Sequence, residues 1–71
     1  MKRDELLRRI ATRAREQGVG WKLDRQGANH EIWRCGAVRV PIPRHVEIGN
    51  GVAQMVFEEL ETELGKDWWR R

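Results

Sequence analysis

One cysteine, two prolines, one phenylalanine and no tyrosine occur among the 71 residues. A single thiol, Cys35, cannot close an intrachain disulfide. His30, Cys35 and His45 lack the number and spacing of a closed metal site, so no structural zinc or other cofactor is expected. No stretch approaches the ~20 apolar residues needed to span a bilayer. Asp4 and Glu5 follow Met1-Lys2-Arg3 where a secretory leader would turn apolar. These gaps point to a cytoplasmic chain without a membrane segment. The length allows one domain, residues 1–71, with one small core and little volume for a deep substrate pocket.

What is present favours a folded chain. Four tryptophans are large packing units, and shares of 39% apolar and 35% charged residues suit a globular domain. The net charge of +3 conceals an asymmetry. From Met1 to His45 there are eleven Lys or Arg against five Asp or Glu; from Val46 to Arg71 there are three against six. A polyanion would be drawn to the first part and repelled by the second. An ordinary solvated surface accounts for the charges equally well.

Leu7, Ile10, Ala11 and Ala14, with Leu6 alongside, recur at helical spacing and predict a helix over 4–17, stopped by Gly18 in a left-handed cap. Arg8 and Arg9 follow Asp4 and Glu5 by four residues and can pair with them. Trp21 and Leu23 alternate with Lys22 and Asp24, which predicts a strand over about 20–25 with one buried face. A second strand is expected over 30–35, with Trp33 inward and His30 outward. After the Gly36-Ala37 reversal, Val38, Val40 and Ile42 form the inner face of a third, over 38–42. Its outer face carries Arg39 and Pro41, and Pro41 belongs on an edge. A helix over about 50–64 carries Val52, Ala53, Val56, Phe57, Leu60 and Leu64 and ends at Gly65. Its Glu59 and Glu63 call for a basic partner, which helix one can provide. In the Trp-rich tail, 66–71, at least one of Trp68 and Trp69 is expected to close the open end of the core.

This order defines an α+β class, αβββα, with both helices on one face of a three-stranded antiparallel sheet. That is the layout of a small double-stranded-RNA-binding-like domain.

The polar turn Gln26-Gly27-Ala28-Asn29 places His30 at the start of the second strand. An unperturbed imidazole titrates near neutral pH and can both take and give a proton. RNA cleavage needs little more, because the neighbouring 2′-hydroxyl is the nucleophile once its proton is removed. Lys22, Arg25, Arg34 and Arg39 are candidates for an outer face that holds the RNA backbone; a solvated strand face is the plainer reading of each. Arg44 and His45 form a possible second pair, with His45 as proton donor, or else cap the loop before the second helix. Asn29 suits a turn with positive φ, or a hydrogen bond to RNA.

The Gly27-Ala28-Asn29-His30 loop, the short hairpin, the Val40-Pro41-Ile42-Pro43-Arg44-His45 segment and the closing helix together resemble the HicA family of toxin ribonucleases. The resemblance runs from Glu5 to Gly65. It implies a messenger-RNA interferase neutralised by a HicB-type antitoxin, with His30 as the catalytic histidine and no direct DNA binding outside the antitoxin complex. Two positions depart from the family pattern: Ala28 stands where serine is usual, and Asn29 where a second histidine is frequent. The chemistry proposed for His30 needs no metal. Two other readings are open. The chain is a non-catalytic RNA-binding module using the same basic face, or an interaction module whose basic face docks an acidic antitoxin.

Overall fold

The computed structural model describes residues 1–70. Helix α1 spans Arg3–Gln17, strands β1, β2 and β3 span Trp21–Gln26, His30–Cys35 and Val38–Pro43, and helices α2 and α3 span Asn50–Glu59 and Glu61–Leu64; a 3₁₀ turn covers Trp68–Arg70. The chain is an α+β domain of order αβββα, as the sequence predicts. The strands are antiparallel in the order β1-β2-β3, so β3 is an edge and Pro41 removes no ladder donor from the interior.

Helix α1 ends in a Schellman arrangement. Gly18 takes φ 68°, its N–H donates to Arg15, and the Val19 N–H donates to the Ala14 carbonyl at 2.8 Å. The buried stripe Leu6, Ile10 and Ala14 turns toward the sheet. It meets Cys35, Val40 and Ile42 from one sheet face, and Ala53, Val56 and Phe57 from α2, in a single cluster that Leu60, Leu64 and Trp68 complete. Both helices therefore cover the same face. Each fully buried Leu or Ile in that cluster contributes roughly 1.5–3 kcal/mol.

The expected single helix over 50–64 breaks at Leu60, which takes φ −90° and ψ 2°. The Leu60 N–H is shared between the carbonyls of Val56 and Phe57, and the chain restarts as α3. Leu60 and Leu64, on either side of the break, are both completely buried. Asn50 is the first helical residue, and Gly49 caps without a side-chain bond. Val52, read as part of the apolar face, is exposed.

Strand β1 holds the other departure. Leu23 pairs with Trp33 but Arg25 pairs with Ile32, so Asp24 and Arg25 together face one partner residue in a β-bulge. Trp21 and Trp33 stack at 4.8 Å on the helical side. Leu23 is on that face too, yet 37% exposed. Among the described residues no helix is long and apolar enough to cross a membrane.

Trp68 is buried with its indole N–H donating to the Phe57 carbonyl at 3.0 Å, and Trp69 stacks on the Phe57 ring at 5.7 Å. The tail thus closes the core. Arg9 does not take Glu5 as partner; it donates to the Trp69 carbonyl at 2.8 Å. Arg13 of α1 donates to the Leu64 carbonyl at 2.9 Å, setting a cation at the C-terminal end of α3.

Candidate nucleic-acid interface

Cross-strand register assigns the site's residues to a face. Lys22 sits opposite Arg34, and Arg34 opposite Arg39, so three cations form a row across all three strands. Arg25 is opposite Ile32, itself opposite Pro41; His30 is opposite Pro43. These positions alternate with Trp33, Cys35, Val40 and Ile42, which point to the helices, so the row and His30 share the outer face. Lys22, Arg25, His30, Arg34, Arg39 and Pro41 are all exposed.

The cations differ in how far they are already neutralised. Arg39 donates through Nε to Asp24 at 3.0 Å; Asp24 shares the outer face with Lys22 by alternation, and the bulge brings Arg25 out beside it. Arg34 donates to the Gly36 carbonyl at 3.1 Å, which leaves its charge uncompensated. Among the described residues Lys22, Arg25 and Arg34 have no carboxylate within salt-bridge distance.

His30 sits at the first position of β2, the central strand. Its carbonyl accepts the Gly27 N–H at 2.8 Å, closing the hairpin over Ala28 and Asn29. A Cβ at position 27 would lie 2.8 Å from that same carbonyl, so Gly27 serves the site by having no side chain. Asn29 is exposed but does not take positive φ, so the turn does not depend on its tolerance of that region. Arg44 donates to the Ala28 carbonyl at 3.0 Å and to Gln26 Oε1 at 2.6 Å. Its place is therefore on the loop ahead of His30, not before the second helix. His45 is exposed, and no hydrogen bond ties it to His30.

A second cluster supports the strand from beneath. Glu31 alternates with His30 and so points to the helical side, where it accepts from Arg3 and, at 3.0 Å, from the Trp33 indole N–H. Arg3 also donates to the Pro43 carbonyl at 2.8 Å, fastening α1 to the end of β3 opposite His30. The Trp33 hydrogen bond first, and the Arg3 charge with it, hold the Glu31 carboxyl below its usual range against the opposing effect of burial. Sequence reading did not single out Arg3, Gln26 or Glu31. The signal was available for Glu31: with Trp33 inward, period-two alternation puts Glu31 inward too, and an inward carboxylate needs a cation.

Among the described residues no three His, Cys, Asp or Glu side chains gather where they could hold a metal ion. No family model, curated protein or solved structure matches the chain. The fold and the register thus define a small α+β domain whose open sheet face is cationic and carries an exposed imidazole.

Proposed function

We propose that the chain is a messenger-RNA endoribonuclease whose general base is His30, acting as the toxin of a toxin-antitoxin pair. The observation that carries this reading is the exposed imidazole at the start of the central strand, on the same face as Lys22, Arg25, Arg34 and Arg39. The likeness of its loop and Pro-Arg-His segment to HicA toxins points the same way.

The chemistry is balanced within the RNA. The imidazole takes the proton of a 2′-hydroxyl, and the 2′-oxygen bonds to the adjacent phosphorus. The bond from phosphorus to the 5′-oxygen breaks, and that oxygen takes a proton from water. The products are a 2′,3′-cyclic phosphate and a 5′-hydroxyl, and the imidazolium returns its proton to solvent. Positioned general-base catalysis is worth roughly 10² to 10⁴ in rate. An antitoxin of the HicB type, bringing carboxylates to the same arginines, would compete directly with RNA.

The test is incubation of the purified chain with messenger RNA in EDTA. Cleavage by the wild type, with a fall of 10² or more for His30→Ala, is the expected result. Undiminished cleavage by the variant removes His30 from the mechanism. Binding without cleavage in either protein identifies a non-catalytic RNA-binding module.

A further inference from the structure

The end of the sheet away from His30 has features that proton transfer does not use. Gly20 precedes β1 and Gly36 follows β2, and the Gly36 N–H donates to the Gly20 carbonyl at 2.9 Å. Together with Lys22 and Arg34 these glycines line a shallow hollow. A Cβ at Gly20 would meet no atom within 4 Å, so backbone is open to an approaching ligand there. Lys22 and Arg34 are cross-strand partners, which sets two uncompensated positive charges side by side. Glu63 reaches Gly36 from the helical side, and Arg39 beside Arg34 is neutralised by Asp24. The free positive charge at this end therefore centres on Lys22 and Arg34.

Two further facts define the ligand. His30 and Arg34 are four residues apart on one strand, about 13 Å at ~3.3 Å per residue. Between them, on the same face, lie Ile32 and Pro41, uncharged and paired across β2 and β3, with Arg25 of β1 opposite Ile32. The face also lacks aromatic rings other than the imidazole, since Trp21 and Trp33 stack on the helical side. Base stacking on an aromatic platform is thus absent, and cations are left to hold the strand by its phosphates. Three strands ~4.8 Å apart make a face only about 10 Å wide, suited to one nucleic-acid strand and narrower than a duplex.

We infer that the hollow between Lys22 and Arg34 anchors a phosphodiester of single-stranded RNA, displaced along β2 from the bond placed over His30, and that it does so without reading bases. The inference rests on the reading of this face as the RNA site. About 13 Å corresponds to roughly two linkages of an extended strand, so the anchor engages only strands longer than a dinucleotide.

Fluorescence anisotropy of His30→Ala protein with labelled oligouridylates and oligoadenylates of increasing length tests it, beside wild-type cleavage of a long transcript. Affinity should step up once the strand spans both ends of β2. Oligouridylate and oligoadenylate should bind within a few-fold of each other. Lys22→Gln with Arg34→Gln should abolish the step and raise the KM of the wild-type background several-fold. The same pair should lower the slope of log affinity against log salt by about 0.7, the value for one phosphate contact on a single strand. Lys66→Gln removes an exposed cation elsewhere and should change nothing. Cleavage of the transcript together with a length profile that the double variant leaves unaltered overturns the anchor and spares the catalytic reading. An intact transcript with the step present overturns the catalytic reading and supports the anchor. Tighter binding of a hairpin duplex than of the single strand overturns the inference.

Discussion

The Arg44 guanidinium donates to the carbonyl of Ala28, sixteen residues earlier in the chain, at 3.0 Å. With its second bond to Gln26 it spans the turn whose last step is His30. Exposed hydrogen bonds of this kind contribute about 0.5–1.5 kcal/mol each, so Arg44→Ala should fold with a slightly lowered Tm. The effect on chemistry should be larger. A loosened turn misplaces the imidazole, and kcat should fall between ~10- and ~100-fold while the shape of the pH-rate profile is kept. Arg44→Lys, which can reach only part of this pair of acceptors, should recover part of the loss. Faster amide exchange at Asn29 and His30 in Arg44→Ala is the structural readout, and wild-type exchange there would separate Arg44 from the loop.

Acid should weaken the junction between α1 and the sheet. The Glu31 carboxyl is lowered in the fold from an ordinary value of 4.5, chiefly by the Trp33 indole N–H. Its contribution to stability is whole above that unfolded value and is lost as pH falls through the lower folded one. Glu47, lowered by the N-terminal ammonium and Lys2, adds to the same trend. Urea midpoints should therefore drop from pH 6 to pH 3, and Glu31→Gln should be less stable than wild type at pH 6 but show a shallower decline.

Cys35 should be inert in the native protein. Complete burial, with Glu63 nearby, pushes its thiol from 9.0 up to about 11. At pH 8 an alkylating reagent should label it only at the rate of unfolding, and labelling should become immediate in denaturant. The stability linked to the neutral thiol is complete below about 9.0 and declines as pH rises toward 11.

Trp68→Phe preserves most of the buried area but removes the indole donor from the Phe57 carbonyl. Leaving that buried acceptor without its partner should cost about 1–3 kcal/mol, read as a lowered Tm with unchanged cleavage per folded molecule. A stability equal to wild type would show that area alone fixes the tail.

Gly18 and Gly36, two of the glycines with positive φ, should respond differently to alanine. Gly18 has φ 68° and open space where a Cβ would stand, so Gly18→Ala meets only the backbone penalty of about 1–2 kcal/mol. Gly36 has φ 57°, and a Cβ there would overlap the Glu63 carboxylate and lie 3.2 Å from Val19. Gly36→Ala should be the more damaging. Denaturant midpoints of the two variants would order them.

Much of this arrangement was readable from residues alone. The period of Leu7, Ile10, Ala11 and Ala14, with Leu6 alongside, gave α1 and Gly18 its end, although Leu6 is fully buried and Leu7 and Ala11 only half so; the residues from His30 to Cys35 gave β2. Alternation alone left two faces open in β2, one with His30, Ile32 and Arg34 and one with Glu31, Trp33 and Cys35; placing Trp33 inward and His30 outward agrees with the burial of Cys35. Local steric preference and burial of one face decide such features, and both are written in short windows of sequence. The break at Leu60 has no proline or glycine to announce it. Leu60, Leu64 and Trp68 are all buried in the one core cluster, whose packing is a property of the folded chain.

The candidate site divides in the same way. Sequence by itself determined that a histidine opens the central strand and that Lys22, Arg34 and Arg39 alternate with apolar residues, because side-chain direction on a strand has a period of two; Arg25, in step with Trp21 and Leu23, reaches the outer face only through the β-bulge. Tertiary structure decided which of those charges remain free. The sheet set Asp24 within reach of Arg39, the fold carried Arg44 back to the 26–28 turn, and α1 delivered Arg3 to Glu31. Each of these partners is distant in the chain, and a charge is neutralised by what lies near it in space, which no short stretch of sequence records.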